Sequence, residues 1–438
     1  MTTIFAPITS PIRAGILVIR ISGSKTINCL QNLGFKGAPQ HQKISFFKIK
    51  HPKTLEIIDE ALVSFFKNPQ SFTGEDIAEI SIHASPFIAK QIFEILSQIE
   101  NVRFAEAGEF SKRAFLNGKL DLVQAEAIPD LIAAETAAQH KQALAQLLGK
   151  LGKIYEDWRF RLIEVFALIQ AAIDFPDDDL PQNICDKVEA DVKKLSDEIA
   201  AHLDDKKAGQ KIKDGLSLAI IGAPNVGKSS LINFLAESEV AIVSKTPGTT
   251  RDVVEVHLSI AGVAVKICDT AGLRETSNKI EAEGIKRALQ KAAAADLKIF
   301  LIDAKNPILR EDLIDENTIV VVNKIDLVDN KKISKENLKD VLNVSLTNKI
   351  NTFELIKKIE EKILKIIPTQ NSLLITQERY RIALKNAVEN LENFSLEKNI
   401  ELAAEDLRLA AREIGKINGK VDIENILDVI FSRFCIGK

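Results

Sequence analysis

The chain has 438 residues, 46% hydrophobic and 27% charged, which is enough for about two to four domains with apolar cores. Its 58 basic and 61 acidic residues give a net charge of −3, which argues against a polycation that coats nucleic acid but is compatible with a local basic patch. The four cysteines lie far apart, no apolar run reaches the ~20 residues that cross a bilayer, and the N-terminus lacks the order of a signal peptide. These features predict a cytoplasmic protein without a membrane span.

Residues 1–118 alternate strand-like and helix-like stretches. Residues 15–21 are rich in branched side chains, which predicts a strand, and residues 77–82 alternate apolar and polar side chains as a half-buried strand does. Residues 87–99 have a helical pattern. We therefore expect an α+β domain here.

The pattern changes to helical at residue 119. Apolar residues follow steps of three and four over 151–173 and 188–203, with a break at 175–181, and Trp158 is interpreted as core. A polar stretch at 204–211 marks a boundary, strands and helices alternate over 209–370, and residues 371–438 are helical again. The simplest arrangement inserts a doubly wound parallel sheet into a helical domain of residues 119–208 and 371–438. Two separate helical domains are the alternative.

A phosphate-binding loop lies inside the α/β part. An apolar strand at 218–221 runs into GAPNVGKS at 222–229, and a helical stretch begins at Ser230. In this G-x-x-x-x-G-K-S pattern the glycines let backbone N–H groups face phosphate oxygens. Lys228 supplies a charge to the β- and γ-phosphates, and the Ser229 hydroxyl is a ligand for Mg²⁺. The pattern indicates a nucleoside triphosphate site.

Motifs later in the chain indicate that the base of the nucleotide is guanine. The run NKID at 323–326 follows a buried strand, and the Asp326 carboxylate can accept hydrogen bonds from N1–H and the 2-amino group of guanine. The run DTAG at 269–272 supplies a carboxylate on the Mg²⁺ side, and Thr250 supplies a second hydroxyl. Residues 344–346 give only a weak match to the serine loop expected on guanine.

Two departures bear on GTP hydrolysis. Leu273 follows the DTAG run, where Ras-type GTPases have the glutamine that orients water. Asn225 lies in the phosphate loop and, with carbonyls of residues 242–249, can form a cage for K⁺ that replaces an arginine finger. The alternative is that Asn225 only ties the loop together.

Four further blocks carry a resemblance along essentially the whole chain. They are residues 19–23, 71–76, 108–122 with its GEFS and KLDL runs, and FCIGK at 434–438. With the nucleotide motifs, they make the chain similar to the MnmE (TrmE) family of bacterial tRNA-modification GTPases. The resemblance implies an N-terminal folate-binding and dimerising domain and a helical domain split by an inserted P-loop GTPase domain.

The resemblance also implies the chemistry. Such proteins act with an FAD-binding partner protein on C5 of the wobble uridine of certain tRNAs, where they install an aminomethyl or carboxymethylaminomethyl group. The one-carbon unit comes from 5-formyl- or 5,10-methylene-tetrahydrofolate, and GTP hydrolysis is coupled to that step. The implied homodimer forms through the N-terminal domain, and the G domains associate transiently.

Residue roles follow by similarity. Mg²⁺ would be held by Ser229 and Thr250, and K⁺ by Asn225, Ser244, Thr246 and Thr249. Glu281 would orient the attacking water, and the expected folate contacts are Arg20, Glu79, Lys119 and Lys438. The GTP site would comprise Asn225, Val226, Gly227, Lys228, Ser229, Ser230, Ser244, Thr249, Thr250, Asp269, Thr270, Ala271, Gly272, Asn323, Lys324 and Asp326.

Without the resemblance, simpler interpretations exist for several of these residues. Arg20 and Glu79 would be strand-surface charges, and Glu281 an ordinary solvent-facing glutamate. Cys435 is expected to act as a nucleophile or proton donor, or else to be a small buried residue that holds the terminus. The competing function is a ribosome-assembly or signalling GTPase that binds RNA or protein without modifying it, and such a protein would not need the 71–76 and 434–438 blocks.

Overall fold

The computed structural model describes residues 2–10, 13–174, 182–238, 256–268, 294–308, 312, 314–328, 341–367, 373–397, 399–421, 427, 430–432 and 434–437. The chain divides into two compact units. The first comprises Met1–Pro129, Leu147–Leu168 and Leu407–Lys438, and the second comprises Asp130–Gln146 and Ile169–Asp406. The four-part division at residues 118, 208 and 370 stays a prediction.

The N-terminal part is α+β, as expected. Its elements are β1 (Thr3–Pro7), β2 (Leu17–Ser22), α1 (Thr26–Asn32), β3 (Ile44–Lys50), β4 (Ile57–Phe66), β5 (Ile77–Ile82), α2 (Pro86–Ser97), β6 (Val102–Phe104) and α3 (Glu109–Leu116). The sheet order is β3-β4-β5-β2-β1-β6, with antiparallel neighbours except for the parallel pair β1 and β6. The strand predicted at 15–21 begins at Leu17 instead, two residues later.

One face of this sheet forms a core with α1 and α2. The inward positions of β2 alternate as Leu17, Ile19 and Ile21, and all three are buried. Strand β4 alternates in the same way, with Ala61 and Val63 in the core. This period of two is the reason that the pattern predicted strands.

Helices follow in the middle of the chain. They are α4 (Leu122–Ile132), α5 (Ala137–Leu147), α6 (Lys150–Asp174), α7 (Gln182–Leu203) and α8 (Ala208–Asp214). Most residues of the apolar stripes predicted along α6 and α7 are buried, including Trp158, whereas Ile154, Ile173 and Leu203 are partly buried. In the described residues, no helix combines the length and the apolar composition that crossing a membrane requires.

The α/β part has the predicted doubly wound arrangement, with one antiparallel edge. Its elements are β7 (Leu216–Gly222), α9 (Lys228–Glu237), β8 (Val256–Ile260), β9 (Val263–Cys268), β10 (Leu297–Asp303), β11 (Thr318–Asn323), a 3-10 turn (Ile325–Leu327), β12 (Val341–Asn343) and α10 (Thr352–Ile366). The sheet order is β12-β11-β10-β7-β9-β8, and only β8 runs antiparallel to its neighbour among these strands.

Both faces of the central strands are covered. In β10, Ile299 and Leu301 join one apolar core, whereas Phe300 and Ile302 join another. Strand β11 divides its side chains in the same alternating way. A continuous apolar run is therefore stable here, as expected for a parallel sheet between two layers.

Two long helices close the described chain, α11 (Glu378–Asn393) and α12 (Ile400–Asn418). Helix α11 packs against α7, so a helix after the α/β part contacts one before it, as the inserted arrangement requires. Arg381 of α11 forms an ion pair with Asp205 and donates to the Leu203 carbonyl at 2.8 Å. Both charged side chains are 5% exposed, so this part of the polar 204–211 stretch is packed rather than solvated.

Candidate functional site

The phosphate loop and the guanine motif emerge at the same edge of the sheet. Strands β7, β10 and β11 are parallel, and their register pairs Gly222 with Leu301 and Asp303 with Asn323. The carboxyl ends of the three strands therefore lie side by side. Crevices at this edge are where open α/β sheets bind their ligands.

The phosphate loop turns directly into α9. Gly227 has a φ of +105° and caps the N-terminus of the helix, whose first residue is Lys228. The Lys228 ammonium donates to the carbonyl oxygens of Gly222 and Ala223 at 2.9 Å each, which holds its charge over the loop. Ser229 and Ser230 are exposed in the first turn. A hydroxyl, an ammonium and a helix N-terminus together suit a phosphate with its metal ion.

Asn323 connects the two motifs. It is buried, its Nδ2 donates to the Val226 carbonyl at 2.9 Å, and its Oδ1 accepts from Leu346 N–H at 3.2 Å. A Cβ built on Gly227 would lie 2.4 Å from Asn323 Nδ2, so only glycine fits this approach. The guanine motif therefore holds the phosphate loop through the hydrogen bond from Asn323 to the Val226 carbonyl.

Lys324 adds a second link. Its ammonium donates to the Asn225 carbonyl at 2.6 Å and pairs with the Asp303 carboxylate at 2.7 Å. Burial raises the pKa of Asp303, but the hydrogen bond and charge of Lys324 outweigh it, so this pKa lies below the ordinary value. Asp326 is exposed in the 3-10 turn. The sequence analysis did not include Asp303, although a carboxylate at the end of a buried strand was a usable signal.

The weak match at 344–346 lies where a guanine-side loop is needed. Leu346 N–H contacts Asn323, and Ile325 N–H donates to the Val344 carbonyl at 3.4 Å. Ser345 is buried and pairs with Ile350 through backbone hydrogen bonds. This loop is therefore bonded to the guanine motif despite its atypical sequence.

Several predicted residues lie outside the described residues. For the nucleotide site these are Ser244, Thr246, Thr249, Thr250, Asp269, Thr270, Ala271, Gly272, Leu273 and Glu281, and for the folate site Lys438. Their assignments stay predictions. The described part of the nucleotide site comprises the phosphate loop, the Asn323–Asp326 run and the 344–346 loop.

A second constellation lies on the N-terminal sheet. Arg20 on β2 and Glu79 on β5 face each other in register, and Arg20 donates to Glu79 Oε1 from Nε at 2.9 Å and from Nη2 at 2.8 Å. The Arg20 guanidinium lies 5.2 Å from the Phe72 ring centroid and 5.5 Å from that of Phe110. The Arg20 side chain is only 17% exposed. The interpretation as ordinary strand-surface charges is therefore wrong, because the two charges form a packed pair between aromatic rings.

A charged network supports this constellation. Arg113 is buried and donates to Glu75 at 3.0 and 3.1 Å and to Glu109 at 2.9 Å, and Arg103 donates to Glu109 as well. Burial raises the pKa of Glu109, but hydrogen bonds from Arg103, the backbone and Arg113 outweigh it and leave this pKa below its ordinary value. Ser22 completes the network by donating to Glu75 at 2.7 Å. The sequence analysis quoted the 71–76 and 108–122 blocks without recognising these partners.

Lys119 lies beside the loop of residues 69–76. It is exposed and donates to the Pro69 carbonyl at 3.0 Å, while Asn117 donates to the Thr73 carbonyl at 2.7 Å. These contacts join the second and third blocks that carry the family resemblance.

The C-terminal tail lies against the strand pair that carries Arg20. Gly108 N–H donates to the Cys435 carbonyl at 3.5 Å, and Ile436 forms a bridge with Ala107. Gly437 has a φ of +100°, and a Cβ there would lie 2.1 Å from the Pro7 carbonyl oxygen. Pro7 in turn pairs with Ile19, the neighbour of Arg20. The fourth block therefore contacts the third block directly and lies against the strand that pairs with the first block.

The cysteines differ in exposure. Cys435 is exposed, so the interpretation of Cys435 as a small buried residue is wrong, because the tail is held by its backbone instead. Cys29 is buried, and burial raises the pKa of its thiol to about 12. Cys185 is partly exposed. Since the thiolate is the reactive form, Cys29 is inert at neutral pH.

Comparison with known families covers almost the whole chain. The family described as "GTP-binding protein TrmE N-terminus" matches residues 3–119, and the family described as "MnmE helical domain" matches residues 122–435. Proteins named tRNA modification GTPase MnmE from Rickettsia akari and Rickettsia bellii are each 46% identical over 445 residues, with 100% of both chains covered.

The chain is also similar to a solved structure over part of its length. It is the G domain of the FeoB iron transporter of T. maritima, at 26% identity and a TM-score of 0.26, covering 34% of this chain and 98% of that one.

Proposed function

The chain belongs to the MnmE family of tRNA modification GTPases, and from this premise we propose the details of its reaction. It hydrolyses GTP in a K⁺-dependent manner. With an FAD-binding partner protein, it uses a tetrahydrofolate one-carbon unit to place an aminomethyl or carboxymethylaminomethyl group on C5 of the wobble uridine of certain tRNAs. The proposal is supported chiefly by the contact between the family's third and fourth blocks at Gly108 and Cys435, and by Gly437, which lies against β1, the strand that pairs with the Arg20 strand.

The described residues fit the nucleotide. The Lys228 ammonium, held over the loop by the Gly222 and Ala223 carbonyls, would bind the β- and γ-phosphates. Ser229 is exposed and would offer its hydroxyl to Mg²⁺, with Thr250 as its proposed companion. Asp326 accepts from the guanine edge. Because Asn323 ties this motif to the phosphate loop, base and phosphates are recognised by one connected structure.

For hydrolysis, the chain must orient water and neutralise charge without an arginine finger. Asn225 is exposed, with its carbonyl held by Lys324, so its side chain is available to a cation. We place K⁺ on Asn225 together with Ser244, Thr246 and Thr249. Glu281 orients the water, since the leucine after the DTAG run has no polar atom. K⁺ supplies positive charge where negative charge develops.

For the folate, the Arg20–Glu79 pair is the best-supported contact. Glu79 Oε1 accepts both bonds from Arg20, and Glu79 Oε2 has no hydrogen-bond partner among the described residues. This oxygen can accept N–H donors of a pterin ring while Oε1 stays hydrogen-bonded to Arg20. Lys119 and Lys438 provide charge for the folate carboxylates. The folate supplies the one-carbon unit, and Cys435 acts beside it as a nucleophile or proton donor.

Two assembly features complete the proposal. The chain forms a homodimer through its N-terminal domain, and its G domains associate transiently during the GTPase cycle. The alternative of a ribosome-assembly or signalling GTPase is disfavoured because the family match extends over the flanking regions as well as the GTPase part.

The test is paired. Mass spectrometry of wobble uridines in cells that lack the gene should show unmodified uridine, and the wild-type gene should restore the modification. Cys435→Ser should fail to restore it while K⁺-stimulated GTP turnover persists, and Cys185→Ser is the matched control. Normal modification with Cys435→Ser would remove a chemical role for the thiol. Loss of both activities in Cys435→Ser alone would show that the thiol supports the fold instead.

A further inference from the structure

The first 55 residues have an unusual charge composition. They contain eight Lys and Arg residues and no Asp or Glu, although the whole chain has a net charge of −3. A polyanion is repelled by an acidic protein as a whole, so it must approach through a local basic surface. This segment provides such a surface.

Several of these residues meet in a groove at the sheet edge. The groove has a volume of about 800 Å³ and lies between the end of α1, strand β3 and the turn at 51–55. Lys36, Lys48, Lys50 and His51 line it, and none of its lining residues carries a carboxylate. Lys48 forms an ion pair with Glu60 on β4 at 3.2 Å, and both side chains are about half exposed. Such a surface pair is weak and readily exchanged.

The groove also presents an aromatic face. Phe46 is 61% exposed and lines it, whereas its neighbour Phe47 is buried. Because side chains on a strand alternate, Phe46 and Lys48 share one face of β3, about 6.6 Å apart. The strand register shifts between Ile49 and Lys50, and Lys50 lines the groove beyond that irregularity. A repeated cation next to an exposed ring fits a phosphate backbone with an unstacked base.

His51 is oriented as a donor. Its Nδ1 accepts the backbone N–H groups of Lys53 and Thr54 at 3.4 and 3.2 Å. The proton of the neutral imidazole is therefore on Nε2, where it can be donated to a phosphate oxygen. Lysines on an edge strand also protect against sheet-to-sheet aggregation. That explanation covers Lys48 and Lys50 but not Lys36 or His51, which lie outside the strand.

We propose that this groove binds the sugar-phosphate backbone of the tRNA substrate, with Phe46 stacking on an unpaired base. The inference rests on the proposed function for the identity of the RNA. An acidic peptide would use the lysines but would have no need for the exposed ring. The groove residues are distinct from the nucleotide and folate residues described above.

The experiment uses the full chain and a fluorescently labelled tRNA transcript, with anisotropy measured over a salt series. The variant Lys36→Ala/Lys48→Ala/Lys50→Ala is compared with Lys90→Ala/Lys150→Ala/Lys153→Ala, which removes three exposed lysines from the same unit. Each triple includes one lysine in a surface ion pair, with Glu60 or with Glu94. The two triples are therefore matched in charge and in lost contacts.

For the groove variant, the slope of log affinity against log salt should fall in magnitude by about 2 to 3, since each phosphate contact contributes about 0.7 to 0.9. The ratio of wild-type affinity to variant affinity should accordingly be about 20- to 40-fold larger at 50 mM salt than at 200 mM salt. Phe46→Ala should weaken binding about tenfold with the slope unchanged, because no charge is removed. Phe87→Ala, which removes a ring that is 68% exposed elsewhere on the unit, should bind as wild type does.

Equal binding by the two lysine triples, or by Phe46→Ala and Phe87→Ala, would overturn the proposal. The proposal would also be overturned if the groove variants changed in molecular mass without RNA but kept their tRNA affinity. That result would make this face an interface between copies of the chain. K⁺-stimulated GTP turnover without RNA should be equal in all variants. If cells lacking the gene lose the modification but the wild-type chain does not bind tRNA, the proposed function stands and this inference fails.

Discussion

Asn323→Ala tests whether the guanine motif holds the phosphate loop. The substitution removes both hydrogen bonds of a side chain that is only 4% exposed, and it leaves the Val226 carbonyl and the Leu346 N–H without their partner. Each buried polar group left without a partner costs about 1–3 kcal/mol, so the two together cost about 2–6 kcal/mol. The loops relieve this cost by moving apart, and nucleotide binding must then bring them back.

The lower end of that range already predicts a large effect on affinity. A loss of about 2 kcal/mol raises Kd about 30-fold. Because the Asn323 hydrogen bonds join the two loops and do not contact the base, the affinities for GTP, GDP and XTP should all fall by a similar factor. Titration with fluorescent analogues of the three nucleotides measures this directly, and circular dichroism checks that the helices persist.

Asn306→Ala is the matched control, since Asn306 is an exposed asparagine that follows β10 near the same edge of the sheet. It should bind all three nucleotides as the wild type does. If Asn323→Ala kept each Kd within about threefold of wild type, the hydrogen bonds of Asn323 would not organise the site and the reasoning would be refuted.

The other predictions address catalysis, base choice and pH. GTP turnover should be much faster in KCl than in matched NaCl, and equal rates would contradict a K⁺ site. Glu281→Ala should slow hydrolysis with GTP affinity nearly unchanged, because a contact to the attacking water acts mainly in the transition state; a large rise in Kd would mean a structural role. Asp326→Asn should move the preference from GTP towards XTP by about 1–3 kcal/mol, which competition binding measures, and an unaltered preference would remove Asp326 from the guanine site. Burial and the nearby Glu156 charge raise the pKa of Asp121 against the opposing effects of backbone hydrogen bonds and Lys420. A carboxyl group whose pKa is raised on folding destabilises the fold above that pKa, so Asp121→Asn should raise Tm at pH 7, and the gain should vanish below about pH 3.9. Asp157→Asn, with a side chain 65% exposed, is the control, and an equal gain at pH 3 and pH 7 would contradict the ionic explanation.

The positions of the two described nucleotide motifs were predictable from the sequence because the information for each motif is local. The phosphate loop is a contiguous run between a strand and a helix, and the Asn323–Asp326 run directly follows a buried strand. Both positions follow from the carboxyl ends of parallel strands lying at one edge. The links between the motifs were not predictable in the same way. That Asn323 bonds Val226, 97 positions away, depends on which strands are neighbours in the sheet, and neither motif encodes that order by itself.

The environment of the Arg20–Glu79 pair was even less predictable from a local sequence pattern. Arg20 and Glu79 each have the pattern of an outward residue on an amphipathic strand, and period-two reasoning assigns such residues to solvent. Arg20 is instead partly covered by Phe72 and Phe110, which come from a loop and from helix α3. A local pattern reports the face of the sheet on which a residue lies, but not what later covers that face.

The C-terminal tail is held by close backbone approaches that require glycine. Gly437 has a positive φ and lies where any Cβ would collide with the Pro7 carbonyl, while Gly108 has a φ of +68° and a Cβ there would lie 2.5 Å from the Phe431 carbonyl. Both glycines are thus required by approaches between segments more than 300 positions apart in the chain. Backbone contacts of this kind are insensitive to most side chains, which leaves the Cys435 thiol exposed and free of a packing role. A segment held by glycine and backbone can present a reactive side chain without using it for the fold, and this separation is what the Cys435→Ser comparison exploits.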